Sequence, residues 1–89
     1  MDAAPPSPFL RLASGIRLRH DRVRQRHVLL GPERGFVLNA TGAAVIEALG
    51  QGCREEEVLA VVAGDERTRR DETRAFLEEL IRKNLVVRT

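Results

Sequence analysis

Few side chains in this 89-residue chain are of types suited to chemistry, and their spacing limits what they could do. His20 and His27 are the only imidazoles, and both lie in extended segments among arginines. A metal site gathers several His, Cys or carboxylate ligands around one cation. Neighbouring Arg disfavours that, so a surface or packing role suits both histidines better. The single cysteine, Cys53, excludes an internal disulfide framework and any multi-cysteine zinc or iron–sulfur site. It stands where a helix is predicted to start, and there the dipole would lower its pKa. A nucleophile also needs a base and an orienting group, for which no pattern is present, so a capping or small buried position is expected instead. Glu55, Glu56 and Glu57 are most simply a solvated helix start. Asn39-Ala40-Thr41 matches the glycosylation sequon, but without a secretory signal helix capping explains it better. No Walker loop, dinucleotide fingerprint or carboxylate pair in a convincing context occurs. The chain reads as no enzyme, with no cofactor and no metal.

The elements that carry these residues follow from periodicity. Eighty-nine residues with 43% hydrophobic content make one domain near the lower limit for a self-sufficient core. Residues 1–8 hold three of the four prolines and read as a flexible leader, leaving 9–89 as the domain. Gly15 to His20 alternates apolar and polar, placing Ile16 and Leu18 on the core side and Arg17 and Arg19 outside. Arg26 to Leu30 is a second strand, and Gly31-Pro32-Glu33-Arg34-Gly35 is turn chemistry. Phe36-Val37-Leu38 is a third strand, ended by Asn39. Helices are predicted over Ala40 to Leu49, Arg54 to Ala63, and Thr68 to about Lys83, the last opened by a Thr68…Asp71 capping box. Leu85-Val86-Val87 either packs on the core or forms an extra strand. The class is α+β: a three-stranded antiparallel sheet followed by three helices, in a winged helix-turn-helix outline.

Two features of that layout bear on partners. Seven arginines (11, 17, 19, 22, 24, 26, 34) lie within residues 1–34 against Asp2, Asp21 and Glu33, so an anionic partner should meet this half. The edges of the expected sheet also differ. The strand 15–20 carries Arg17 and Arg19, whereas 36–38 carries no Lys, Pro or charge of the kind that guards natural edges. That third strand is therefore expected to accept a second peptide chain, or another copy of itself in a homodimer. DNA is the rival partner for a winged helix, but the third helix interleaves Arg69, Arg70, Arg74, Arg82 and Lys83 with Asp71, Glu72, Glu78 and Glu79. Such a surface suits phosphates poorly, so nucleic acid is not expected. No apolar run approaches the ~20 residues that span a bilayer; no membrane association and a cytoplasmic location are expected.

With these residues in view, the chain resembles the PqqD family of pyrroloquinoline quinone (PQQ) biosynthesis. The resemblance rests on Arg17-Leu18-Arg19-His20-Asp21, Val28-Leu29-Leu30-Gly31-Pro32-Glu33-Arg34, Leu38-Asn39-Ala40-Thr41-Gly42, and Phe76-Leu77-Glu78-Glu79-Leu80 leading to Leu85-Val86. Cys53 departs from the Ser- or Thr-like residue expected to open the second helix. The resemblance implies a non-enzymatic peptide chaperone that binds the ribosomal precursor peptide PqqA and presents it to the radical SAM enzyme PqqE. It also implies that the peptide adds a strand beside the third, in a cleft with the third helix. The expected contacts are Arg34, Gly35, Phe36, Val37, Leu38 and Asn39 on the strand, and Arg74, Leu77, Glu78 and Ile81 on the helix by i, i+3/i+4 spacing. A core position is an equally good reading of Leu77 and Ile81.

Overall fold

The computed structural model describes residues 7–32 and 35–89. Its elements run β1 (Phe9–Leu12), β2 (Arg17–Asp21), β3 (Arg26–Leu30), β4 (Gly35–Leu38), α1 (Ala40–Leu49), β5 (Cys53–Arg54), α2 (Glu55–Ala63), α3 (Arg67–Arg82) and β6 (Val86–Arg88). The expectation of one three-stranded sheet is corrected to two. The meander β2-β3-β4 is the expected sheet, and a second antiparallel sheet has the order β5-β1-β6. It forms because Phe9-Leu10 and Leu12 find partners far along the chain: Leu10 faces both Cys53 and Arg88, and Leu12 faces Val86. Of the expected leader, Ser7 and Pro8 bond to the start of α2 through their carbonyl oxygens, to the Arg54 guanidinium at 3.0 Å and the Glu55 N–H at 2.8 Å.

The meander's register explains which residues it buries. Leu18, Leu29 and Phe36 lie in one cross-strand row, and His20, His27 and Leu38 in another two residues along. Because side chains alternate across a strand, both rows share the inner face. There Leu29 and Leu38 join a core with Val45, Ile46, Leu49, Val58, Leu77, Leu80, Leu85 and Val86. The outer face receives Arg19-Val28-Val37 and Arg17-Leu30-Gly35. The hairpin turn is held by the Asp21 carboxylate, which accepts the N–H of Val23 at 3.0 Å and of Arg24 at 3.2 Å. The Arg24 hydrogen bonds are the leading reason its pKa lies below the ordinary carboxylate value.

The helix ends are set by local caps. The Asn39 side chain accepts the Gly42 N–H at 2.7 Å, and Gly50 closes α1 at φ 56°. At α2 the Arg54 N–H donates to the Glu57 carboxylate at 2.8 Å, and Gly64 ends the helix. For α3 the cap is Glu66, which takes the Arg69 N–H at 2.7 Å, so the helix starts ahead of the expected Thr68 box. Either a carboxylate or a hydroxyl can cap, and here the Glu66 side chain reaches forward over the first turn to take that N–H.

Candidate functional site

β4 pairs with β3 alone among the described residues, so its outer N–H and C=O groups have no strand beside them. Phe36 and Leu38 point inward, while Val37 stays 58% exposed on the other face. Gly35 is fixed by crowding: a β-carbon there would lie 3.0 Å from Val28 Cγ1 and 3.2 Å from Leu30 Cδ2. The opposite edge, β2, exposes Arg17, Arg19 and His20. The contrast between a charged and an uncharged edge is the condition under which β4 can take another strand.

α3 runs beside β4 in the opposite direction. At the Leu38 end, Leu38 and Phe76 both close on Gly42, whose β-carbon would meet Phe76 Cζ at 3.3 Å and Leu38 Cδ2 at 3.5 Å. A cleft of about 280 Å³ opens there, lined by Asn39, Thr41, Gly42 and Val45 from one side and Arg69, Glu72, Thr73 and Phe76 from α3. At the Phe36 end a second cleft lies between Ile16, Gly31, Pro32 and Phe36 and the α3 terminus at Lys83, Asn84 and Leu85. The strand edge thus runs between two openings, each walled on one side by α3 or its terminus.

The expected site residues divide accordingly. Gly35, Phe36, Val37 and Leu38 form the edge, and Asn39 stands at its end as the α1 cap. Arg34 lies outside the described residues. Arg74 and Glu78 lie on a different flank of α3, paired within the fold. Arg74 Nε bonds Glu55 at 3.1 Å, and the guanidinium also approaches Glu56 and Asp71. Glu78 accepts Arg88 of β6 at 2.6 Å. A helix turns by 100° per residue, so the stripe 70, 74, 78 faces α2 and β6 while 69, 72, 76 faces the cleft. Leu77 is 1% exposed and belongs to the core, and Ile81 packs half-buried against that core. The residues that spacing missed are Arg69, Glu72, Thr73 and Phe76 with Lys83 at the far end. Phe76, the one aromatic on α3, was the available signal.

The residues first considered for chemistry are held elsewhere. His27 Nε2 lies 3.8 Å from a Glu47 carboxylate oxygen on α1, and the His20 and His27 ring centroids are 4.7 Å apart with their planes tilted by 34°. Among the described residues, no three His, Cys, Asp or Glu side chains gather as a metal would need. The idea of a dipole-activated Cys53 is corrected. Its thiol sits in β5 ahead of the helix, 3.6 Å from the Ala48 carbonyl oxygen, and burial, aided by the Glu57 charge, pushes its pKa up. No helix among the described residues is long and apolar enough to cross a membrane.

An α+β domain with an uncovered strand edge beside a helix has the geometry by which peptide-recognition modules take an extended chain. Residues 26–86 match the family model described as coenzyme PQQ synthesis protein D, and the chain belongs to the PqqD family. It is 54% identical over 37 residues to the bifunctional coenzyme PQQ synthesis protein C/D of Methylorubrum extorquens, and 42% identical over 43 residues to the PqqA binding protein of Rhizobium meliloti. These stretches are 42% and 48% of this chain but only 10% and 44% of the relatives' own lengths. Its fold matches the solution structure of the PqqD truncation of Methylobacterium extorquens PqqCD, described as a functional, stand-alone recognition element for ribosomally made, post-translationally modified peptides. The match has a TM-score of 0.75 and 30% identity, covering 97% of this chain and 96% of that one. Membership of this family makes the domain a non-catalytic binding element.

Proposed function

We propose that this chain binds the precursor peptide PqqA as an added strand along β4 and presents it to the radical SAM enzyme PqqE during PQQ biosynthesis. The observation that carries the reading is the β4 edge, uncharged, without a second strand and flanked by α3, in a chain of the PqqD family. Backbone pairing along Gly35–Leu38 supplies affinity that tolerates sequence, and side chains entering the two end clefts supply selection. The relative named as a PqqA binding protein supports the identity of the peptide. The rival reading is a winged-helix DNA-binding regulator. Against nucleic acid as its ligand stands the engagement of Arg70 and Arg74 by the α2 carboxylates at 2.7 and 3.1 Å. Moderate affinity is enough for a protein that hands its cargo on, since joint binding to PqqE raises the effective concentration.

The test is an amide-shift titration of the labelled protein with PqqA. Shifts should concentrate at residues 35–39 and along Arg69, Glu72, Phe76 and Lys83. Shifts confined to β2, or the flank Arg70, Arg74, Glu78, would overturn the site. Val37→Pro should abolish binding while the far-UV signal of the helices persists. Sedimentation of the peptide-free and peptide-saturated protein reports whether a homodimer competes for the same edge. Addition of PqqE to the saturated complex should give a ternary species; its absence would remove the presentation step alone.

A further inference from the structure

The cleft at the Asn39 end of β4 has a chemical bias of its own. Among the described residues Thr73 is the buried polar one, 3% exposed, and its hydroxyl has no hydrogen-bond partner there. A hydroxyl shut away from water normally finds a partner; Thr73 lines the cleft, and its hydroxyl lies just behind that wall, where a small side-chain rotation would bring it to a ligand. Four residues earlier on the same wall, Arg69 lies over the first turn of α1, lining this cleft and a smaller one with Ala40, Thr41, Ala44 and Val62. Its backbone N–H goes to Glu66, but its guanidinium has no ion-pair partner among the described residues, while Arg70, Arg74 and Arg82 are each paired.

The facing wall is the start of α1. Unlike α2, which opens with three glutamates, α1 has no acidic residue in its first turn, so the positive end of its dipole is not offset. Asn39 uses its carbonyl oxygens on Gly42 and Ala43, leaving its side-chain NH2 and the N–H groups of Ala40 and Thr41 as donors at the mouth. The Thr41 hydroxyl adds another. Against these stands one carboxylate, Glu72, which is exposed and screened by water. Arg69 is exposed as well, so the two opposite charges sit at the rim, while the donors of Asn39, Ala40 and Thr41 line the α1 side.

We propose that the cleft between the first turn of α1 and Arg69-Thr73 of α3 is a carboxylate-reading subsite of the peptide groove, taking either an acidic side chain or the C-terminal carboxylate of the bound peptide. The assignment rests on the β4 reading above, since a strand laid along Gly35–Leu38 runs off at Asn39 into this cleft. One carboxylate oxygen meets Arg69 and the α1 N–H groups, and the other takes the Thr73 hydroxyl proton as a hydrogen bond. Val45 and Phe76 cover the carbon stem. Glu72 then admits one anion and repels a second.

The experiment uses calorimetry with PqqA, with variants in which each Asp or Glu is replaced by Asn or Gln singly, and with the C-terminally amidated peptide. One of these neutralised peptides should bind wild-type protein about tenfold more weakly, and which one it is distinguishes a side chain from the terminus. That difference should vanish in Arg69→Gln and grow in Glu72→Gln. Thr73→Val keeps the shape and removes the orphan hydroxyl; it should raise the melting temperature while weakening the parent peptide, a combination that a purely structural role for Thr73 does not produce. Equal binding of every neutralised peptide, with shifts still along β4, overturns the subsite and leaves the groove intact. An equal loss for all peptides in Arg69→Gln overturns it too, as a general field effect. No binding of the parent peptide overturns the groove reading and the subsite together.

Discussion

Arg69 and Arg70 are adjacent on α3 and have opposite settings. Arg70 is bonded to the Gly64 carbonyl at 2.9 Å and to Glu56 at 2.7 Å, and together with Arg74 and Glu78 it fastens α3 to α2 and β6. Arg69, one residue and 100° away, faces the β4 end cleft with its guanidinium unpaired among the described residues. Charge on one flank of the helix is used within the fold, and on the other Arg69 has no ion-pair partner among the described residues. A count of charges along α3 merges the two; only the identity of the neighbour on each flank separates them.

The comparison breaks most sharply at Leu77 and Phe76. Leu77 is fully buried between the flanks, and Leu77→Ala should cost about 2–5 kcal/mol, a large share of the stability of a small domain. Denaturant unfolding measures it, and PqqA affinity of the folded fraction should hold. Phe76 is half-buried at the cleft, so Phe76→Ala should lower the melting temperature less and weaken PqqA about tenfold. If Phe76→Ala leaves peptide affinity unchanged, the groove does not reach the N-terminal half of α3.

The arginines give the next step down. Arg74→Met removes the partner of Glu55, whose side chain is 12% exposed, and should destabilise by about 1 kcal/mol, the upper end for such pairs. Arg69→Gln should leave stability within about 0.5 kcal/mol, as expected of a surface change, and act on peptide affinity instead. Equal stability loss in the two variants would erase the distinction between the flanks.

Much of this arrangement was legible in the sequence because its signals are local. Asn39, Gly50 and Gly64 mark helix ends within a turn of where they act, and alternation in Arg17 to His20 sets the face of β2 without reference to anything distant. The open edge could be read because β2 and β4 differ in charge. The second sheet could not: Phe9–Leu12, Cys53–Arg54 and Val86–Arg88 are two to four residues long, and each becomes a strand only when the others arrive. Long-range pairing leaves little trace in so short a pattern. The facing of α3 was not legible for a related reason. Periodicity places Arg74 and Glu78 on one stripe correctly, but whether that stripe meets β4 or α2 depends on how the helix is rolled against the core. That roll is set by Leu77 and Leu80 in the core, whereas spacing had left Leu77 and Ile81 open between groove and core.

The smallest effect concerns Glu79, near the C-terminal end of α3. Its carboxylate takes hydrogen bonds from Arg82 and Lys83, and these, led by Arg82, hold its pKa below the ordinary glutamate value. A depressed folded-state pKa means the proton binds the unfolded chain more readily. The stabilisation is therefore complete above the unfolded pKa and is lost as pH falls through the folded one. Because Glu79 lies at the surface, the loss should be slight and should shrink further in high salt. A carbon-detected titration of the Glu79 carboxyl should give a midpoint below that of an unpaired glutamate. Arg82→Gln should move it up further than Lys83→Gln does, the order in which the two donors act. Reversal of that order would transfer the leading role to Lys83, which stands at the mouth of the Phe36-end cleft. Peptide binding there would then draw on the same ammonium group and raise the Glu79 midpoint as PqqA is added, which the same titration detects.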